Sequence, residues 1–444
     1  MRLLNFSADN VHEYLDFDIN FRPDVSFLAG LNGTGKTTAL KLIMALLTPD
    51  IRALNRISFN KCTLKLESND DVIEITCIKE SHDISLEVVK NGNSLGEFST
   101  KEMANTRPFK VAAFLDTEHS LEFNSAIREI ESLTQPMFLS LDRRTIQTAR
   151  DRSEGREMRR ESSDIRWRKK SGDDNLNIAL ELIYKSSAMA RSQHAKLDKK
   201  LRDEIILTSL TFNNNPEGSG LPDKAAVEQL TKKYKTISKT LKNLDIATSE
   251  FDSMYSSFLD RIQVLAAEFN KCKSTEEVLH SQDSEVQASL YEWFMNQDQL
   301  KRIDKMSSLV ESYEKKKTRY YRELNKFETL VNNFLKETGK EIVISATDQP
   351  KIKINGKKKD ITILSSGESQ ILIMLAQLVL NKKLPKNGIL IIDEPEISLH
   401  ISWQDMFVEA LQAANPDLQI ILATHSPAII GGRNSMYVPL NGVS

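Results

Sequence analysis

Two short stretches carry residue types that do chemistry in combination. Gly30–Thr37 reads GLNGTGKT, glycines with one lysine and a hydroxyl in the pattern G-x-x-x-x-G-K-[ST]. Glycines let backbone N–H groups close around an anion, and a helix beginning just beyond adds the positive end of its dipole. The chemistry expected there is phosphate binding, with Asn32, Gly33, Gly35, Lys36, Thr37 and Thr38 around ATP. Lys36 reaches the β and γ phosphates, and the Thr37 hydroxyl ligates Mg²⁺. The second stretch, ILIIDEP, is an apolar run that empties into two acids. Carboxylates at the end of a buried strand are costly unless a cation or a nucleophile uses them. Asp393 is expected to hold Mg²⁺ through water and Glu394 to orient or deprotonate the attacking water. His425, in LATHS at the end of the last strong apolar run, is placed to contact the γ-phosphate.

A third stretch, LSSGESQ, lies far downstream of the first and puts Ser365, Ser366, Gly367 and Glu368 at another helix start. It reads as a second anion site. A nucleotide already held by Gly30–Thr37 has no use for it within one subunit. It becomes useful if it caps ATP bound by a neighbouring copy, which predicts a homodimer or higher oligomer through head-to-tail ATP sites.

The elements that must position these residues follow from periodicity. Leu3 to Gly30 alternates apolar and polar residues as paired strands do, and KTTALKLIMALL has helical spacing from Lys36 until Pro49. KCTLKLES, DVIEITCIKE and DISLEVVK read as an antiparallel patch, and VAAFLD and PMFLSLD as further strands. From Arg143 to Lys170 the text is Arg-rich and nearly free of apolar residues, a solvated loop or a contact for nucleic acid or a partner. Asn175 to Lys340 is Lys/Glu/Leu-rich and helical with irregular heptads, an arm or bundle rather than a long coiled coil. A helix from Asp283 to Thr338 would reach ~80 Å at 1.5 Å per residue. EIVISAT and KIKING form a hairpin; GILIIDEP and LQIILATHS are runs of the kind found in parallel strands covered on both faces. The expected fold class is α/β, a mixed sheet with flanking helices plus an antiparallel β subdomain, interrupted by a helical arm. Its parts are 1–141, a basic segment 142–174, the arm 175–340, and 341–444.

Bulk numbers narrow the class. The 444 residues exceed one ordinary core, 40% are hydrophobic, and the net charge of −2 gives no general affinity for nucleic acid. Cys62, Cys77 and Cys272 make no CxxC pair, against a zinc site or disulfide framework. With neither a signal-peptide core nor a membrane-length apolar window, the chain reads as cytoplasmic, with no membrane contact.

Walker A, L-S-S-G-E, an apolar D-E-P strand and T-H-S, in that order, resemble the ATP-binding-cassette superfamily. The long helical region between Walker A and the signature is similar to the SMC-like branch rather than to transporters. DEPEISLHISWQ resembles the form found in the overcoming-lysogenisation nucleases, RecF-like ATPases and Septu-type anti-phage defence ATPases. Transporters usually carry Asp where this chain has His400, and Gln135 and Gln147 flank PMFLSLDRR as the candidates for a Q-loop glutamine. Only nineteen residues follow His425, without the metal carboxylates of a Toprim nuclease. The resemblance therefore implies an ATPase head that controls a separate effector, an HNH-type nuclease in the Septu case, with DNA or RNA contact. The competing reading is an SMC-like DNA-tethering or DNA-repair ATPase, and a transporter ATPase is the third.

Overall fold

The computed structural model describes residues 1–444 apart from 32, 82, 102–123, 134–135, 140–173, 211–220, 222–223, 245–248, 271–274, 345–348, 383–386 and 441–444. Asn32, Gln135, Gln147, VAAFLD and the Arg-rich segment therefore lie outside the described residues. The chain divides into two units, Met1–Ser186 with Leu324–Ser444, and Ser187–Glu323.

The first unit begins with β1 (Arg2–Val11), β2 (Leu15–Asn20), β3 (Val25–Ala29), α1 (Lys36–Leu47) and α2 (Ile51–Arg56). It continues with β4 (Lys61–Ser68), β5 (Asp71–Glu80), β6 (Asp83–Lys90), β7 (Asn93–Ser99), α3 (Ser125–Ser132) and β8 (Met137–Leu139). Then come the helices α4 (Asp174–Leu210), α5 (Lys224–Asn243), α6 (Ser249–Phe269), α7 (Thr275–Leu279) and α8 (Ser284–Leu335). The chain returns through β9 (Lys340–Val343), β10 (Lys351–Ile354), β11 (Lys357–Lys359), α9 (Ser366–Leu380) and β12 (Ile389–Asp393). It closes with α10 (Ile401–Ala414), β13 (Gln419–Ala423), α11 (Pro427–Ile430) and β14 (Tyr437–Pro439).

Two main sheets result. One is antiparallel, in the order β2-β1-β4-β5-β6-β7; the other is parallel, β14-β3-β13-β12-β8. Strand β2 alternates buried and exposed residues, as a half-covered antiparallel strand does, whereas β3, β12 and β13 are buried at every position. Helix α1 lies between the sheets: Leu40, Leu42 and Ile43 share one core with Phe6, Leu64 and Ile75 of the antiparallel sheet and Ile391 and Ile421 of the parallel one. Being covered on both sides explains why this helix is apolar nearly all round.

Strands β7, β11 and β14 go beyond the sequence expectation. β7 escapes propensity because NSLGEFS is poor in β-formers, and its Gly96 marks a close approach, since a Cβ there would stand 2.1 Å from Ser125 Oγ. β11 turns the expected hairpin of β9 and β10 into a three-stranded antiparallel sheet, β11-β10-β9. Cys62 and Cys77, distant in sequence, are buried free thiols facing each other across β4 and β5.

The second unit is helical and has its own core. Ile237 and Leu241 of α5, Ile262 and Leu265 of α6, and Trp293 and Ile303 of α8 are buried together. Tyr234 and Tyr255 stack at 4.3 Å between centroids, and His194 lies between the Tyr313 and Tyr321 hydroxyls at 3.0 and 3.2 Å. No described helix is long and apolar enough to cross a membrane.

Candidate functional site

Strand β3 delivers the chain to a loop that α1 closes. Gly33 and Gly35 sit at φ +90° and +84°, a region that L side chains rarely adopt. At Gly35 space is also decisive, because a Cβ would stand 2.7 Å from Phe17 Cζ and 2.9 Å from Leu15 Cδ1. Gly35 is the N-cap of α1 and offers no capping side chain. The first N–H groups of the helix are thus left without a side-chain cap at the place where a helix attracts an anion.

Lys36 is only 5% exposed, and its Nζ donates to the loop carbonyls of Gly30 and Leu31 at 2.9 and 3.1 Å. Burial pushes its ammonium below the ordinary lysine range, while the charges of Glu394, Asp393 and Glu396 pull it back up. Those acids come from the end of β12, two strands from β3 in the parallel sheet. Asp393 is 4% exposed and raised above the usual carboxylate range by burial, against which the Thr37 hydroxyl bond acts. Its Oδ1 is buried without a protein hydrogen-bond partner. A buried carboxylate with a free oxygen beside a hydroxyl fits Mg²⁺, a hard cation that takes one or two carboxylates and fills its remaining positions with water and substrate phosphate. Among the described residues no group of three or more His, Cys, Asp or Glu gathers as a metal cluster, so such a cation would rely on the phosphates.

Glu394 stands at φ 47°, ψ 56°, left-handed backbone that costs a non-glycine residue on the order of 1–3 kcal/mol. The conformation is held by its N–H, which donates to the Ala423 carbonyl at 2.8 Å. The bend turns the chain out of β12 directly after Asp393. Glu396, to which the sequence reading attached no role, fastens the next strand end: it accepts the Thr424 hydroxyl at 2.8 Å and the His425 N–H at 2.6 Å. Gln404 joins them, accepting from the Ser426 hydroxyl at 2.5 Å and donating to the Leu399 carbonyl at 3.1 Å. His425 is exposed at the end of β13, with its backbone fixed by Glu396. The only advance signal for Glu396 was its place in DEPE.

The signature residues gather elsewhere in the unit. Ser365 caps α9, and Glu368 returns the bond to the Ser365 N–H at 2.7 Å. Glu368, expected among the nucleotide contacts, has its carboxylate turned inward at 2% exposure, to Lys340 Nζ at 2.7 Å and the Thr338 hydroxyl at 2.8 Å. Burial pushes this carboxylate up, but Lys340, the Ser365 N–H and Thr338 together hold it below the usual range. Ser366 is exposed and Gly367 half-buried, so the outward face of the turn is theirs. Thr38 is half-buried in the first turn of α1. His400 is exposed; its Nδ1 lies 2.8 Å from the Ser402 hydroxyl, which donates to Glu337 at 2.6 Å.

With a phosphate-type loop beside the buried Asp393 and the half-buried Glu394, comparison with known proteins is decisive: the AAA ATPase domain model matches residues 1–430. The chain belongs to the AAA ATPase domain family. The domain is similar to the Retron Vc95 probable ATPase of Vibrio cholerae serotype O1 biovar El Tor, 28% identical over 46% of this chain and 40% of that protein. It is also similar to the Retron Ec83 probable ATPase of Escherichia coli, 36% identical over 15% of this chain and 14% of that one. The matches thus span less than half the length of either relative. Among solved structures, the Smc head domain with an extended coiled coil bound to the C-terminal domain of ScpA, from Pyrococcus furiosus, is 10% identical with a TM-score of 0.38. That alignment covers 97% of this chain and 91% of the other. The SMC head domain from Thermotoga maritima gives 10% and 0.36 over the same shares. Likenesses this loose transfer no property to the ATPase domain.

Proposed function

We propose that this chain binds and hydrolyses ATP as a switch, closing head to tail with a second copy, and that the closed state governs a separate nuclease in anti-phage defence. The observation that carries the reading is the convergence of Lys36, Thr37, Asp393 and Glu394 in one place, with Lys36 buried among the negative charges. An ammonium with three donors can exchange two loop carbonyls for phosphate oxygens while those acids keep it protonated. Mg²⁺, when bound, would neutralise phosphate charge. Thr37 would ligate it and Asp393 would hold it through water, while Glu394 orients or deprotonates the attacking water and His425 contacts the γ-phosphate. Ser366 and Gly367 of the second copy complete the enclosure. Support for the defence role comes from DEPEISLHISWQ, whose form resembles that of Septu-type ATPases among others, and from the likeness to the retron probable ATPases.

Two variants test the assignment. Lys36→Ala is expected to abolish Mg-ATP binding in calorimetry, and unchanged affinity would reject the phosphate loop. Glu394→Gln is expected to keep ATP bound and lose most turnover, accumulating closed dimers; hydrolysis at the parent rate would assign the water to another residue.

A further inference from the structure

The three-stranded sheet carries a charge arrangement that neither the nucleotide site nor the fold requires. Residues 351–359 read KIKINGKKK, five lysines in nine residues without an acid. Asn355 and Gly356, at φ 47° and 79°, close β10 onto β11 as a two-residue turn with both residues left-handed, so the hairpin is tightly built. Its register places Lys358 directly opposite Lys353. Like charges so paired lie roughly 4.5–5.5 Å apart at Cβ and weaken the ladder. Glu341, across the other side of β10, reaches Lys353 at 3.2 Å. Lys357, Lys358 and Lys359 are all exposed, and no carboxylate is paired with any of them among the described residues.

Protection of a sheet edge is the ordinary use of such lysines. It does not account for this set, because β10 is the central strand of the three and its exposed Lys353 stands opposite another lysine, Lys358, while Ile352 faces the core. Alternation also puts Lys358 on one face of β11 and Lys357 and Lys359 on the other, so the cations wrap both sides of the edge. A peptide added as a further strand would need apolar pockets for its alternate side chains, and lysines on both faces supply none. A phosphodiester polymer needs charge and no pocket.

We infer that the β10–β11 hairpin is a nucleic-acid docking surface that grips the phosphate backbone through Lys357, Lys358 and Lys359. It is independent of the nucleotide reading, and it lies six positions before the Ser365 cap of the signature helix. The test is fluorescence anisotropy of the full chain with a labelled duplex and with single-stranded DNA and RNA of equal length, titrated across salt. The parent should bind with a steep salt dependence. Replacing all three lysines by Gln should lower the magnitude of the log–log slope on duplex DNA by about 2.7, at about 0.9 per lost phosphate contact, and weaken binding about tenfold or more. Mg-ATP affinity should not change, and the triple Arg variant should bind like the parent. Lys358→Gln alone, which relieves the pair with Lys353, should fold at least as well as the parent and lose about 0.9 of the slope, so instability of the triple variant cannot shield the inference. Three results overturn it: no salt-dependent nucleic-acid binding by the parent, an unchanged slope in both Gln variants, or lysine-dependent binding of poly-glutamate in place of nucleic acid.

Discussion

Glu368→Ala asks what the signature turn stands on. The carboxylate is 2% exposed and meets Lys340 Nζ at 2.7 Å, the Thr338 hydroxyl at 2.8 Å and the Ser365 N–H at 2.7 Å. Removing it strands an ammonium that is itself only 18% exposed and opens the cap of α9. Breaking a buried ion pair costs about 3–5 kcal/mol. The residual exposure of Lys340 places this case near the lower end, about 3 kcal/mol, or roughly two orders of magnitude in a local opening equilibrium. Hydrogen exchange read on a peptide across the start of α9 measures that opening without requiring the two units to unfold together. Amides of Glu368 and Ser369 should exchange about a hundredfold faster in the variant. The pH dependence has a definite sign. Because the folded carboxyl is held below its ordinary value, its contribution is present above the unfolded pKa and lost as pH falls through the folded one. The gap between variant and parent should therefore close toward acid. Adding Lys340→Ala should restore part of the protection, since no charge is then stranded. If the two substitutions add within about 0.5 kcal/mol, the pair is not coupled and the argument fails.

Two further outcomes follow from the same geometry. Asp393→Asn removes a carboxylate that burial holds above its usual range; such an acid disfavours the folded state more as pH rises past its unfolded pKa, so the nucleotide-free variant should melt higher at neutral pH and lose its Mg²⁺-dependent ATP binding. A melting temperature that falls would refute the desolvation account. Mixing Lys36→Ala subunits with Ser366→Arg subunits should regain part of the ATP turnover each lacks alone, because one composite site per heterodimer stays intact; no recovery in verified mixed dimers would exclude head-to-tail sharing.

Local spacing by itself carried a large share of this protein. The glycine pattern before KTTALKLIMALL implied strand, loop and helix because phosphate loops need left-handed residues and a helix start, all local properties. The unbroken apolar runs at Ile389 and Gln419 implied parallel strands covered on both faces, and the low-apolar, helix-forming middle implied an inserted helical region. Tertiary structure decided what depends on partners distant in the chain. Only folding could show that Glu368 faces Lys340 rather than outward, because a carboxylate takes its direction from the nearest cation and Lys340 comes from a different element. Glu396 gained its part when β13 arrived beside β12 and presented Thr424 and His425 to it. β7 and β11 lack strong propensity and exist because a neighbouring strand supplies their hydrogen bonds. The lysine opposite lysine in the β10–β11 hairpin is likewise a matter of register, which a list of residues does not contain until the turn at Asn355 and Gly356 sets it.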